Sequence, residues 1–403
     1  MGRQILHVDV NNAFLSWTAV DMLKNGSKVD IREMVAVIGG DESRRSGIVL
    51  AKSPKAKMFG ITTGETLYQA RMKCPSLRVY PVNHRLYAKY SNDLYQLLLQ
   101  YTDKIERFSV DECFLDMTNY LAGDTLMNKA HEINKRVKNE LGFTVNVGVA
   151  HNKLLAKTAS DFTKPDRVHT LFEDEIPTKM WPLPVSELFM LGRKTIPKLY
   201  NMRIKTIGEL AKTDKQLMIK KFGKHGLMMW EYANGIDNSE VHYQYEKPKG
   251  VGNSTTLPMD VNDRSKLEEI LLALTEQVTY RLRRYDLLAN VVNVQLRTKD
   301  FEDKSHQRKL SEATSNTKEI YALAKELLHE MYIKGTSIRL IGMRVDNLIE
   351  KDELQLSLFS HQDSEKHQKI DKVVDDLKQK YGYNSITRAG NLHSEDKIKF
   401  KDM

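Results

Sequence analysis

Two acidic residues stand side by side in an otherwise apolar stretch, Phe108-Ser109-Val110-Asp111-Glu112-Cys113-Phe114-Leu115-Asp116-Met117. Burying an unpaired carboxylate is costly, so this stretch cannot run as one uninterrupted core strand. In a regular strand the neighbours Asp111 and Glu112 would point to opposite faces. Serving one site together requires a turn or bulge, so Ile105 to Met117 is expected to form two short strands around a tight connection. Asp9 raises the same problem near the start of the chain. It lies at the end of the apolar run Ile5–Val10 and is followed by Asn11 and Asn12, which puts a carboxylate where loops meet. Taken alone, Asp9 reads as a cap or surface residue, and an Asp-Glu pair is common at turns.

Around these acids the pattern alternates. Strands are expected over Ile5–Val10, Val35–Ile38, Gly47–Ala51 and Phe143–Ala150, the last from the alternation of Val145, Val147 and Val149. Helices are expected after Asn12, over Leu67–Lys73 and over Leu86–Thr102, where Leu94, Leu97, Leu98 and Tyr101 form one stripe. Further helices are expected over Asp124–Glu140 and from an Asn152 cap to Phe162, stopped by Pro165. Residues 1–175 therefore predict an α+β sheet with helices on one face. From 176 to 242 the pattern is short-segmented and helical, and Lys247-Pro248-Lys249-Gly250 reads as a linker. Residues 251–346 give the order βαββαβ, a separate small sheet domain, and the tail from 347 is polar and interrupted.

A chain of 403 residues exceeds one ordinary core, and roughly two to four domains are expected. The formal net charge is +9, which favours polyanionic partners, nucleic acid above all. Positive charge is concentrated over residues 41–91, with ten Lys or Arg against three Asp or Glu. That stretch reads either as a phosphate-facing surface or as a solvated face. Two distant cysteines, Cys74 and Cys113, give neither a zinc site nor a disulfide framework. No leader and no membrane-spanning run are expected, and reduced thiols fit the cytoplasm.

Three acids meeting in one place would suit phosphoryl transfer. Two Mg²⁺ roughly 3.5–4 Å apart can activate an attacking oxygen and steady a leaving one. Mg²⁺ takes hard oxygen ligands, a few carboxylates together with substrate phosphates. Without a cation, converging carboxylates repel and raise one another's pKa.

Three segments together resemble the Y-family DNA polymerases. They are Val8-Asp9-Val10-Asn11-Asn12-Ala13-Phe14, then Ser109-Val110-Asp111-Glu112 with Phe114-Leu115-Asp116, then Val147-Gly148-Val149-Ala150-His151-Asn152-Lys153-Leu154-Leu155-Ala156-Lys157 leading to Thr163-Lys164-Pro165-Asp166. The likeness covers about residues 4–345, and Asp9-Val10-Asn11 is most similar to the bacterial SOS-induced, UmuC/UvrX-like branch. It implies an α+β right-hand polymerase. The palm would comprise 1–11 and 81–175, small fingers 12–80, a helical thumb 176–242, a linker 243–250, a βαββαβ little finger 251–346 and a tail 347–403.

The implied chemistry is low-fidelity translesion synthesis from dNTPs on primer-template DNA, with two Mg²⁺ as cofactors. Asp9, Asp111 and the Val10 carbonyl would hold metal, and Glu112 would ligate the ion that activates the primer 3′-hydroxyl. Phe14 matches the steric gate that excludes a 2′-hydroxyl; without the resemblance it reads as a core aromatic. Lys164 matches the triphosphate lysine. Lys57 stands where many members carry Arg, Pro54 replaces a common tyrosine and Ala51 a threonine. Lys binds phosphate as a point charge rather than a planar fork, so the grip differs. Read as an ordinary residue, Lys57 is a solvated lysine. Phe189-Met190-Leu191-Gly192-Arg193-Lys194 keeps one glycine of a helix-hairpin-helix loop and reads equally as a packing unit.

Gln355-Leu356-Ser357-Leu358-Phe359 matches the pentapeptide by which bacterial replication proteins dock on the sliding clamp. Its alternative is self-packing. A monomer with no membrane association is expected. Two other functions stay open at this point: a palm-based nucleotide cyclase, which would need neither the basic C-terminal domain nor the clamp peptide, and a catalytically dead DNA-binding scaffold, which should have lost acids.

Overall fold

The structure is a computed structural model that describes all residues except 1, 43, 44, 46, 122, 245, 352–361 and 387–403, with the backbone alone over 362–368. The chain divides into two units, residues 1–39 with 49–245, and residues 40–48 with 246–403.

The first unit is built on a five-stranded sheet in the order β5-β6-β1-β7-β8. The central strand β1 (Ile5–Val10) runs antiparallel to both β6 (Glu112–Asp116) and β7 (Val145–Ala150). β5 (Ile105–Arg107) pairs with β6, and β8 (Val168–Thr170) runs parallel to β7. All six residues of β1 are buried, so both faces of the sheet are covered.

On one face Leu6, Val8, Val10, Leu115, Val145, Val147 and Val149 pack with α1 (Ala13–Lys24), α4 (His84–Leu98) and α5 (Leu126–Arg136). The expected stripe Leu94, Leu97, Leu98 and Tyr101 is buried there. The expectation of helices on a single face is corrected by α6 (Lys153–Ser160). Its Leu155, Ala156 and Ala159 pack with Ile5, Phe114 and Ala150 on the opposite face. That face of β7 carries Asn146, Gly148 and Ala150, small enough for a helix to lie directly on the strand. A Cβ on Gly148 would fall 1.8 Å from the Ala156 carbonyl oxygen and 2.7 Å from the Ser160 nitrogen.

A second, three-stranded sheet has the order β3-β2-β4, with β2 (Ala36–Gly39) antiparallel to β3 (Val49–Lys52) and parallel to β4 (Arg78–Pro81). Two short helices, α2 (Pro54–Met58) and α3 (Leu67–Lys73), complete its core with Ala56, Leu67 and Ala70. Ser53 caps α2 and a Thr66–Gln69 capping box opens α3. Four short helices follow later in the chain, α7 (Ile196–Asn201), α8 (Ile207–Ala211), α9 (Lys215–Phe222) and α10 (Lys224–Ala233). In the loop before α7 the left-handed backbone belongs to Met190, at φ 64°, and not to Gly192, the one glycine of that loop.

The second unit follows the expected βαββαβ order. β9 (Gly250–Val261), α11 (Arg264–Arg284), β10 (Leu287–Thr298), β11 (Asp303–Thr314), α12 (Thr317–Met331) and β12 (Ile338–Glu350) form an antiparallel sheet in the order β11-β10-β12-β9. β12 runs past the expected strand end. Beyond it, where a polar interrupted tail was expected, stands α13 (Gln362–Tyr381). Charge rather than an apolar stripe anchors this helix. Arg283 of α11 donates to both Asp375 oxygens at 2.6 and 2.8 Å and to Asp371 at 3.3 Å, and Asp371 also accepts the Thr317 backbone N–H at 2.9 Å.

Candidate active site

Strand pairing brings the separated acids together. Asp9 is the register partner of Glu112 across the β1–β6 ladder. Directly opposed residues of an antiparallel pair project from the same face. Between β5 and β6 the chain bends through residues 108–111, with the Phe108 and Ser109 N–H groups both donating to the Glu112 carbonyl, at 3.0 and 3.2 Å. The Asp111 carbonyl accepts the Val10 N–H at 3.1 Å, and its carboxylate accepts from the Ser109 hydroxyl at 2.7 Å. Asp111 thus belongs to the bend and Glu112 opens the strand. The alternation that would have parted them is interrupted, as the sequence required.

Amino groups balance the buried charge. Lys164 donates to Asp9 at 2.6 Å and to Asp161 at 2.9 Å. Burial pushes the Asp9 carboxyl up to about 6, and Glu112 and Asp161 push it the same way, against the pull of Lys164. Burial works against the Lys164 ammonium, yet Asp9 and Asp161 outweigh it and raise its pKa. Lys157 donates to Glu112 Oε1 at 2.8 Å, with its ammonium 5.7 Å from the ring centres of both Phe108 and Phe189. One turn earlier on α6, Lys153 binds both oxygens of Glu106, at 2.9 and 2.7 Å.

Among the described residues, no three His, Cys, Asp or Glu side chains stand close enough to hold a metal ion as they are arranged. The donor set nevertheless fits hard divalent cations. It consists of hard oxygen ligands, one of them a carboxyl whose pKa is raised chiefly by burial, which a bound cation would offset. The residues able to hold such ions are Asp9, Asp111, Glu112 and the carbonyl of Val10.

Beside the acids opens a cavity of about 450 Å³, lined by Asp9, Val10, Phe14, Lys57, Asp111 and Lys164 among others. Glu112 does not line it. Phe14 stands in the first turn of α1, which Asn12 starts from a left-handed conformation at φ 48°. Its ring stacks on Tyr87, centres 4.3 Å apart and 8° from parallel. Lys57 is exposed near the end of α2 and Lys164 lies just past the end of α6. The structure also adds two lysines that the sequence reading gave no role. Lys157 closes the segment Val147–Lys157, four residues after Lys153, a helical spacing that puts both on one face. Lys52 ends β3 and lines the cavity, and a charge at the end of an apolar strand was the available signal. Gln355, Leu356, Ser357, Leu358 and Phe359 lie outside the described residues.

Comparison with known proteins bears on the family and the fold. The profile of the impB/mucB/samB family matches residues 8–161, and that of the same family's C-terminal domain matches residues 248–358. The chain is 48% identical over 397 residues to a protein of Clostridium acetobutylicum named DNA polymerase IV, covering 98% of this chain and 100% of that protein. A DNA polymerase IV of Acetivibrio thermocellus is 39% identical, covering 96% and 97%. A solved Y-family DNA polymerase chimera, Dbh-Dpo4(243-245)-Dbh, superposes with a TM-score of 0.75 at 23% identity, over 86% of this chain and 99% of that one. The likeness to that structure concerns the fold.

Proposed function

The chain belongs to the Y family of DNA polymerases, and from that premise we propose that Asp9, Asp111 and Glu112 form the centre of its nucleotidyl-transfer site. It is a template-directed DNA polymerase of the translesion type, acting on DNA and dNTPs with divalent metal ions, and its fold is the right-handed α+β architecture of the family. The supporting observation is the register pairing of Asp9 with Glu112, with Asp111 on the wall of the cavity that Asp9 also lines.

In this proposal the five-stranded sheet belongs to a palm of residues 1–11 and 81–175, and the small sheet to fingers 12–80. Residues 176–242 form the thumb, 243–250 a linker and 251–346 the little finger, and 347–403 form a tail that includes α13. Two Mg²⁺ ions, held by Asp9, Asp111, Glu112 and the Val10 carbonyl, would supply activation of the primer 3′-oxygen and charge stabilisation at the departing pyrophosphate. Lys164 and Lys57 bind the triphosphate as point charges. Phe14, backed by Tyr87, fills the space a 2′-hydroxyl would need and so selects deoxynucleotides.

DNA is gripped through its phosphates, and binding therefore falls steeply with salt. The segment Gln355–Phe359 docks on the sliding clamp and raises the local concentration of the enzyme at primer ends. The protein works as a cytoplasmic monomer in the SOS response. No helix among the described residues is long and apolar enough to cross a membrane. The sequence likeness to the UmuC/UvrX-like branch rests on Asp9-Val10-Asn11, whereas the relatives at 48% and 39% identity carry the name DNA polymerase IV.

Primer extension on undamaged and abasic templates tests the assignment. Asp111→Ala or Glu112→Ala is expected to abolish extension with DNA affinity unchanged, and normal extension by either variant would defeat it.

A further inference from the structure

The cavity has two walls of different character. On one, the Lys164 ammonium is committed to Asp9 and Asp161. The other is formed by the end of β3 and the start of α2, where Leu50, Ala51 and Pro54 offer no side-chain donor and the Ser53 hydroxyl already donates to the Met34 carbonyl. On this second wall, Lys52, Lys57 and Thr63 are left to meet a ligand. Among the described residues, neither the Lys52 nor the Lys57 ammonium has a hydrogen-bond or ion-pair partner.

Lys52 differs from a solvated surface lysine. It is half-buried, and burial lowers its pKa, with the neighbouring ammonium groups of Lys57 and Lys73 adding to the effect. The nearest acid, Glu65, pulls the other way but is itself bound to Lys73 at 2.5 Å and to the Thr62 hydroxyl at 3.0 Å. A chain that gathers unpaired ammonium groups in a cavity needs a concentrated negative charge to settle there. A polyphosphate supplies several acceptor oxygens in one small group.

We propose that Lys52 is a nucleotide-binding residue that, together with Lys57, holds the terminal phosphates of the incoming dNTP. It supplies a positive charge on a wall where Ala51 and Pro54 supply none. This rests on the polymerase assignment above and extends it to the wall of the cavity formed by β3 and α2.

The test uses the full chain with Lys52→Ala, Lys52→Glu and Lys52→Arg. Single-nucleotide insertion is expected to show a KM for dNTP about tenfold higher in Lys52→Ala and higher still in Lys52→Glu. Turnover and DNA affinity should stay within about threefold, and Lys52→Arg should stay close to the parent. Inorganic tripolyphosphate, titrated calorimetrically without DNA, should bind the parent and lose about tenfold in affinity in Lys52→Ala. An unchanged KM together with unchanged tripolyphosphate binding overturns the proposal. So does a weakened DNA affinity at unchanged KM, which would hand Lys52 to the template strand. Should the parent fail to extend primers, the polymerase assignment falls, while tripolyphosphate binding still decides the role of Lys52.

Discussion

Phe14 lies flat against Tyr87, ring centres 4.3 Å apart and 8° from parallel. Tyr87 is buried on α4 and its hydroxyl contacts the Thr18 hydroxyl at 3.3 Å, so the supporting ring is fixed from behind. If Phe14 discriminates against a 2′-hydroxyl, its position matters as much as its bulk. Phe14→Ala should admit ribonucleotides. Tyr87→Leu should relax sugar selectivity partway, by about fivefold, because the ring of Phe14 remains but loses its stacking partner, a loss of about 1 kcal/mol. The ratio of kcat/KM for dNTP and rNTP measures both, and an unchanged ratio in Phe14→Ala would return that ring to the core.

Lys157 supplies the countercharge to Glu112 while resting between Phe108 of the bend before β6 and Phe189 of the loop before α7. Lys157→Met preserves the aliphatic stem and removes the charge-assisted hydrogen bond, worth about 1.5–3 kcal/mol. Single-turnover incorporation should slow by about tenfold or more, with DNA affinity retained. Lys157→Arg should recover part of the rate. A Lys157→Met enzyme as fast as the parent would show that Glu112 needs no positioning from this side.

Arg283 meets Asp371 and Asp375 in a largely buried cluster, with side chains 16%, 4% and 20% exposed. Removing one member of such a pair strands the others, at a cost of about 3 kcal/mol or more. Arg283→Ala should lower the urea midpoint of the second unit and release α13, seen as faster amide exchange across residues 369–381. Exchange unchanged in that helix would mean that the ion cluster does not anchor it.

Burial pushes the Cys113 thiol up to about 12 from 9.0, against the pull of Arg107. The folded state therefore holds this proton more tightly than the unfolded chain. The resulting stability is complete below pH 9 and is lost as the pH climbs toward 12. Alkylation of native protein at pH 8 should be far slower at Cys113 than in the urea-unfolded chain, because the thiolate is the reactive form. Equal rates would contradict its burial on β6.

Elements carried by short-range patterns were legible in the sequence. α3 spans Leu67–Lys73 as expected, the bend between β5 and β6 falls at Asp111, and the βαββαβ order of the second unit appears strand for strand. What escaped depended on partners distant in sequence. α13 has a polar composition and is anchored by Arg283, a residue of α11, so its own periodicity carried little signal. β4 is four residues long and depends on pairing with β2. Lys52 looked like any residue of a basic stretch, because only folding shows which ammonium groups turn inward. The meeting of Asp9 with Glu112 was inferable from chemistry, but the register that achieves it was not.

The position of Gly148 has a wider consequence. Three paired ammonium groups, those of Lys153 on Glu106, Lys157 on Glu112 and Lys164 on Asp9, are carried by α6 or the few residues after it, and α6 can rest on β7 only because position 148 has no side chain. A single methyl group there, neutral and remote from any substrate, would lift the helix and move all three charges at once. The electrostatics of the site are thus tuned by an omission on a strand that bears none of the proposed catalytic groups.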